Sequence, residues 1–268
     1  MPVKLGDAFV RIFADDRDLD KGLAGARQKT QSASQVMQGV FQGVGQAIFN
    51  TVKSGISAAV DEIGKAVQKS SDLSETVNKV GVLFGQNAKA VLDFADTADT
   101  ALGQSKQSAL DAAATFATFG RAAGLSGESL VKFSTDFVGL ASDLASFNNT
   151  SPEEAITAIG AALRGESEPL RRYGVLLDDA TLRQKALQLG IVATTDQALT
   201  PQQRVLAAQV AIYEQTAAAQ GDFARTSTGL ANAQRILAAE IENGSAKLGD
   251  AFRPAVESIT NILVGLAP

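Results

Sequence analysis

The side chains whose types could most readily support catalysis lie in one block, which reads Gly165-Glu166-Ser167-Glu168-Pro169-Leu170-Arg171-Arg172-Tyr173-Gly174. Its two glutamates could form an acid/base pair, the usual equipment of a carboxylate hydrolase. The alternative is an ordinary ion pair, because Glu168 and Arg172 have the spacing of neighbours on a helix surface. No nucleophile, metal-ligand set or phosphate-binding loop lies nearby in sequence. The pattern therefore favours the ion pair, and we assign no catalytic residue.

Composition narrows the chemistry further. The chain contains no Cys and no His, which excludes disulfides, cysteine nucleophiles and zinc sites with the usual ligands. Two Asp-rich spots, at residues 15–20 and at Asp178-Asp179, resemble calcium loops. The first lacks the turn glycine and the final glutamate of such a loop, so both spots predict helix caps. We expect no metal, no cofactor and no enzymatic activity.

The net charge and the hydropathy of the chain limit the kinds of partner that it is expected to bind. The net charge is −5 and no part of the sequence forms a dense basic face, so we expect no specific binding of nucleic acid. No run of 18 apolar residues is present, which argues against a simple transmembrane span. Aromatic residues are only 6% of the chain, and a core must therefore be built mainly from Ala, Leu, Val, Ile and Phe.

A long apolar stripe in the first quarter of the chain has helical spacing. Its members are Met37, Phe41, Val44, Ile48, Val52, Ile56, Val60, Ile63 and Val67. The mean step of about 3.75 residues exceeds the 3.5 of a left-handed coiled coil and predicts a straight or slightly right-handed contact with a partner. Glycines interrupt the stripe and weaken an isolated helix. We expect residues 30–70 to be ordered only against a partner helix or lipid, with the stripe as the contact face.

The rest of the sequence predicts helical hairpins. Apolar residues on one seam step by three and four, at Leu130, Phe133, Phe137, Leu140, Leu144 and Phe147. Glycines at 103, 124, 165, 190 and 221 predict helix ends. Ser151-Pro152-Glu153-Glu154 and Thr200-Pro201-Gln202-Gln203 predict helix starts with reciprocal caps. From about residue 228 one long helix is expected, kinked or restarted at Pro254.

The predicted fold class is therefore all-α, made of amphipathic helices and helical hairpins with one short strand at residues 8–14. We expect three parts. Residues 1–70 hold the strand and the Gly/Ala-rich helix, residues 71–227 the hairpin module, and residues 228–268 a long helix that continues in a longer natural protein.

Several blocks together resemble the N-terminal region of siphovirus-type phage tail tape-measure proteins. The most specific runs from Leu163 to Gly174. The others, in the family's order and spacing over roughly 200 residues, are Phe84-Gly85 and residues 141–147, 151–155, 186–190, 199–202 and 220–226, followed by Leu248-Gly249 and Pro254. The motif residues that the resemblance singles out, with an expected structural role, are Gly165, Glu166, Glu168, Pro169, Arg171, Arg172, Gly174, Gly221 and Asp222.

The resemblance implies a structural virion protein of the tail, partly coiled coil, that templates tail-tube assembly, sets tail length and leaves during genome ejection. The implied partners are the tail tube protein, tail assembly chaperones and tail tip or baseplate proteins, together with self-association and contact with the host membrane. The implied location is the tube lumen of the virion tail, after synthesis in the bacterial host cytoplasm. The alternative is a membrane-active protein whose N-terminal amphipathic segment inserts into the host membrane during DNA ejection.

Overall fold

A computed structural model describes residues 62–265, with side chains described as far as Pro254. Contacts divide the chain into two units, Met1–Glu62 and Ile63–Pro268, and the description below concerns the second. The predicted strand at 8–14, the Asp-rich cap at 15–20 and the apolar stripe as far as Val60 lie outside the described residues. Helices and turns without any strand make up residues 62–265, which confirms the all-α prediction for this part. The predicted part boundaries after residues 70 and 227 stay predictions.

Ten α-helices and two short 3-10 helices make up the described part of this unit. They are α1 (residues 63–84), a 3-10 turn (Gly85–Asn87), α2 (Ala88–Ala95), α3 (Ala98–Leu102), α4 (Lys106–Ala122), α5 (Gly127–Phe147), α6 (Pro152–Arg164), a second 3-10 helix (Glu168–Tyr173), α7 (Asp179–Gln188), α8 (Pro201–Gln215), α9 (Asp222–Thr226) and α10 (Leu230–Gly265).

The helices end where glycines can adopt a left-handed backbone. All five predicted stops have positive φ, among them Gly103 at 62° and Gly165 at 102°. Side chains with β-carbons avoid that region, so glycine ends a helix there at little cost. Four of the five lie at helix ends, but Gly221 is the N-cap of α9, well after α8 ends at Gln215, so its prediction as a helix end was wrong. The Asn148-Asn149 break is confirmed as well, since α5 ends at Phe147 and Asn149 has φ 52°.

Helix starts follow the predicted caps with one correction. The Thr200 hydroxyl accepts from the Gln203 amide at 3.2 Å, and the Gln203 side chain accepts from the Thr200 amide at 2.9 Å. Asp178 likewise caps α7 by accepting from the Thr181 amide at 2.7 Å. At α6 only one half of the predicted reciprocal cap forms. Ser151 accepts from the Glu154 amide at 3.2 Å, but the Glu154 carboxylate accepts from Arg172, because a charged partner attracts it more strongly than a backbone amide.

The core lies where α4, α5, α6 and α8 meet, around the ring of Phe137. The Phe116 and Phe133 rings lie 5.2 and 4.9 Å from it, and Tyr213 lies 5.5 Å away. These separations are typical of favourable tilted and edge-to-face ring pairs. Most other core residues are alanines, so this cluster supplies much of the large apolar area that the unit buries.

The predicted seam on α5 is confirmed at five of its six positions. Leu130, Phe133, Phe137, Leu140 and Leu144 are at most 3% exposed. Phe147 is 55% exposed, so its assignment to the core was wrong. It is the last residue of α5, beyond the level at which neighbouring helices cover the seam.

The long helix α10 crosses α1 at very short range. A Cβ at Gly249 would overlap the main-chain carbonyl of Ala66 and would lie 2.9 Å from the Ser70 Cβ. Ser70 also donates to the Asp250 carboxylate, and Arg253 donates to Ser74 at 3.2 Å. Residues 63–70 are therefore helical and packed against α10, a helix of the same chain. The expectation that residues 30–70 are ordered only against a partner helix or lipid stays a prediction. Ile63 and Val67 are half-buried.

Pro254 lies inside α10, which is one continuous helix from Leu230 to Gly265. The sequence predicts a kink or a restart at this proline. The restart is not observed.

Replacing Phe137 by Ala should lower the free energy of unfolding by about 2–5 kcal/mol, because the change empties a fully buried ring position. Phe147→Ala is the matched control on the same helix and should cost about 0.5 kcal/mol or less. Urea denaturation measures both values. Equal stabilities for the two variants would contradict the assignment of Phe137 to the core.

Gly249→Ala should destabilise the unit by about 1–3 kcal/mol, since the added methyl group collides with the α1 backbone. Gly244 lies on the same helix, and a Cβ added there would have nothing within 4 Å. Gly244→Ala should therefore stabilise the unit by up to about 1 kcal/mol through helix propensity. Thermal melts of both variants test the crossing. A Gly249→Ala variant as stable as Gly244→Ala would show that the two helices do not approach this closely.

Candidate functional site

The charged block forms a compact turn, and its Pro169 and Arg172 line an open cleft of about 410 Å³ together with Glu154 of α6. Gly165 ends α6, residues Glu168–Tyr173 form the 3-10 helix, and Gly174 ends that helix with φ 79°. Leu170 is fully buried and Tyr173 is 6% exposed. These two side chains attach the block to the core, and its charged side chains point outward.

The ion pairs of the block differ from the predicted one. Glu168 pairs with Arg171 at 2.8 Å, and Arg172 pairs with Glu154 on α6 at 2.6 Å. The expected Glu168–Arg172 pair was wrong because the segment is a 3-10 helix, in which side chains three residues apart eclipse one another. Arg172 is left free to reach a different helix.

The two glutamates of the block lack the surroundings of an acid/base pair. Glu166 lies 3.4 Å from Arg164, and the Glu166 and Glu168 side chains are 66% and 78% exposed. An exposed carboxylate beside an arginine forms an ordinary surface ion pair. The geometry supports the structural interpretation of both residues. Pro169 is also exposed, in the first turn of the 3-10 helix.

Two of the motif segments meet in space at what we call the Asp143 corner, made by Asp143, Ser146, Gly221, Asp222 and Phe223. The Asp143 carboxylate accepts from the Gly221 amide at 2.7 Å and from the Phe223 amide at 3.1 Å. The Asp222 carboxylate accepts from the Ser146 hydroxyl at 2.7 Å. Each acidic residue thus binds the other segment, and the start of α9 is fixed to the last turns of α5.

Phe223 completes the corner on its apolar side. Its ring is 2% exposed and lies so close to Gly103 that a Cβ there would be 2.8 Å from the ring. Gly103 therefore serves two purposes, since it ends α3 with a positive φ and leaves space for the ring. The sequence indicated the first purpose only.

Burial raises the pKa of Asp143, and this effect outweighs the backbone hydrogen bonds from Gly221 and Phe223, which lower it. The charge of Arg225 lowers the pKa of Asp143 as well, and that of Asp222 raises it. The anionic form of the Asp143 side chain is therefore less stable in the folded chain than in water. The stabilisation that this raised pKa gives to the folded state is fully present below the ordinary pKa of an aspartate. It decreases as the pH rises through the raised pKa of Asp143.

The corner extends to α10 through residues that were not predicted from the sequence. The Asn232 amide donates to Ser146 at 2.9 Å and to Thr226 at 2.8 Å. Arg235 donates to the Thr150 carbonyl at 2.8 Å and also to the Asn232 side chain. Their partners Ser146 and Thr150 are more than 80 residues away in sequence and cannot be identified from it.

A cleft of about 630 Å³ opens between α4, α6 and α8, with Phe119, Leu163 and Leu199 among its apolar lining residues. The charged residues in its lining are exposed and already paired. Arg164 pairs with Glu166 and Arg204 pairs with Asp179 at 2.6 Å. The cleft offers apolar contact surface and surface ion pairs.

Residues 62–254 contain no group of acidic side chains arranged to hold a metal ion. Among the helices of the described part, none is long and apolar enough to cross a membrane. Of the predicted partner or membrane face, only Ile63 and Val67 belong to this part.

No protein-family model matches this chain, and neither a curated protein nor a solved structure shows significant similarity to it.

Asp143→Ala should lower the free energy of unfolding by about 1–3 kcal/mol at neutral pH, because two amides lose their acceptor. The difference from wild type should be larger below about pH 4, where the contribution of Asp143 is fully present, and should shrink as the pH rises. Urea denaturation across this pH range gives both quantities.

Asp136→Ala is the matched control, since Asp136 lies on the same helix and pairs with the exposed Lys132 at 2.7 Å. It should cost about 0.2–1 kcal/mol. Equal losses for Asp143→Ala and Asp136→Ala would contradict the role given to the corner.

Proposed function

We propose that this chain is the folded N-terminal module of a phage tail tape-measure protein, a structural component that acts by helix packing. The proposal rests on the resemblance of a series of sequence blocks, from Phe84 to Pro254, to those of the family in order and spacing. The all-helical fold of residues 62–265 is compatible with it.

The roles of the motif residues in the fold also favour a structural function. The Leu163–Gly174 block is fixed to α6 by Arg172 and Glu154, and the segments around Asp143 and Asp222 bind one another. These residues determine how helices turn and dock. The same blocks contain no arrangement with the geometry of a catalytic site.

In the proposed particle this unit is a module of helical hairpins and not an extended ruler. A helix rises about 1.5 Å per residue, so 268 residues could span at most roughly 400 Å even if fully extended. The hairpins of residues 85–227 shorten that span greatly. The proposed partners remain the tail tube protein, the assembly chaperones and the tail tip or baseplate proteins.

The proposal is tested in the phage that carries the gene. An amber stop within α2 should leave filled heads with tails that are absent or irregular in length, and wild-type protein supplied in trans should restore them. Electron microscopy of the particles gives the result, and mass spectrometry of purified virions should find the chain in normal tails. The Gly244→Ala variant, supplied in trans, is the control for a substitution that preserves the fold.

Tails of normal length in the amber phage would contradict the proposal. Dye release from liposomes by the full chain, with normal tails in the amber phage, would favour the membrane-active alternative.

A further inference from the structure

The outward face of α10 carries a row of large apolar side chains, which we call the α10 stripe. It consists of Leu230, Leu237, Ile241 and Leu248, whose exposed fractions are 76%, 55%, 63% and 59%. Scattered exposed leucines are common on proteins, but a continuous row along one helix marks an interaction surface. The row extends over about 27 Å of helix.

The stripe faces outward because the inward face of α10 is already used. That face carries small and polar residues, among them Asn232, Ala239, Ala246 and Gly249, all buried. Asn243 on the same side accepts from the Lys106 amide at 2.8 Å and donates to Asp99 at 2.9 Å. Rotating the helix to bury the stripe would break these hydrogen bonds and would force large side chains into the crossing at Gly249.

The spacing of the stripe is the same in both directions. Its steps are seven, four and seven residues, so a two-fold axis at the level of Ala239 relates the stripe to itself. Two antiparallel copies then place Leu230 against Leu248 of the other copy and Leu237 against its Ile241. Such a self-complementary patch is what an isologous dimer interface requires.

The residues beside the stripe allow a second helix to come close. Ala231 and Ala238 are exposed neighbours on one side, and small side chains at such positions bring helix axes together. A lipid-binding helix instead carries a basic polar face, whereas the charges nearest the stripe are Glu240 and Lys247. The chemistry around the stripe therefore favours a helix over a membrane surface.

We propose that the α10 stripe is the interface of an antiparallel homodimer of this chain. Four apolar side chains from each copy, with the small residues between them, give an interface at or below the low end of the range of about 1,200–2,000 Å² for stable complexes. The dimer is accordingly weak and reversible. It follows from the spacing and burial of α10 alone and holds whether or not the chain belongs to a phage tail.

Sedimentation velocity of the full chain over a range of concentrations tests the proposal. A monomer–dimer equilibrium is expected, and the double substitution Leu237→Ser with Ile241→Ser should raise the dimer dissociation constant at least about tenfold, because four anchors are lost per dimer. The matched control is Val82→Ser with Leu176→Ser, two equally exposed apolar residues outside the stripe. It should associate like wild type.

A monomer up to the solubility limit would overturn the proposal. Association unchanged by the stripe double variant would also overturn it, because the contact would then lie elsewhere. Circular dichroism melts should show that both double variants fold as the wild type does.

Orientation is measured without removing any anchor. The chain has no cysteine, so Ala231→Cys and Ala238→Cys each introduce a single site for a spin label. In the antiparallel dimer the two labels at 231 are separated along the axis by about 24 Å and those at 238 by about 3 Å. Distances by double electron–electron resonance that are equally short at both positions would indicate a parallel pair and would overturn the antiparallel arrangement.

Discussion

Helix α5 contacts two different kinds of surface along its length, and the fold of the described unit depends on both contacts. Its first four turns present Phe133, Phe137 and Leu140 to a core in which alanine is the commonest other residue. Its last turns present Asp143 to the backbone amides of Gly221 and Phe223, and Ser146 to the Asp222 carboxylate. The apolar part drives the packing of α4, α6 and α8, because burial of large side chains is the main favourable term in folding. The polar part determines where α9 and α10 dock.

The division between apolar packing and polar docking explains the unusual character of α10. A helix is normally attached by its large apolar residues, but here the attached face is small and hydrogen-bonded, and the four large residues of the α10 stripe are exposed. Buried polar groups add little net stability, but they are costly when unpaired, so they enforce one orientation. Asn232, at 3% exposure, accordingly has Ser146 and Thr226 as partners. Gln104, outside α10, is a buried side chain that is only partly paired. Its amide donates to Ser142 at 2.6 Å, but its buried side-chain oxygen has no partner.

The sequence predicted the features that arise from local physics. Four of the five glycine stops, the caps at Thr200 and Asp178 and five of the six seam positions on α5 follow from backbone geometry or helical spacing, and the structure confirms them. The errors occurred where tertiary packing decides. Phe147 continues the seam in sequence but has no neighbouring helix to cover it. Glu154 exchanges its predicted backbone partner for Arg172, and Arg172 is available because residues 168–173 wind as a 3-10 helix. The Asp143 corner joins segments about 80 residues apart, and periodicity contains no information about that pairing.

Helices α4, α5 and α6 thus hold the unit together, whereas α10 is attached by polar and small-residue contacts. Native-state hydrogen exchange on the dilute chain tests this division, because it measures the free energy of opening helix by helix. We expect amides of α5 around Phe137 to exchange only through global unfolding. Amides of α10 between Leu237 and Leu248 should exchange through a local opening of lower free energy. Equal protection of the two helices in the monomer would contradict the division, since α10 would then be part of the same cooperative core.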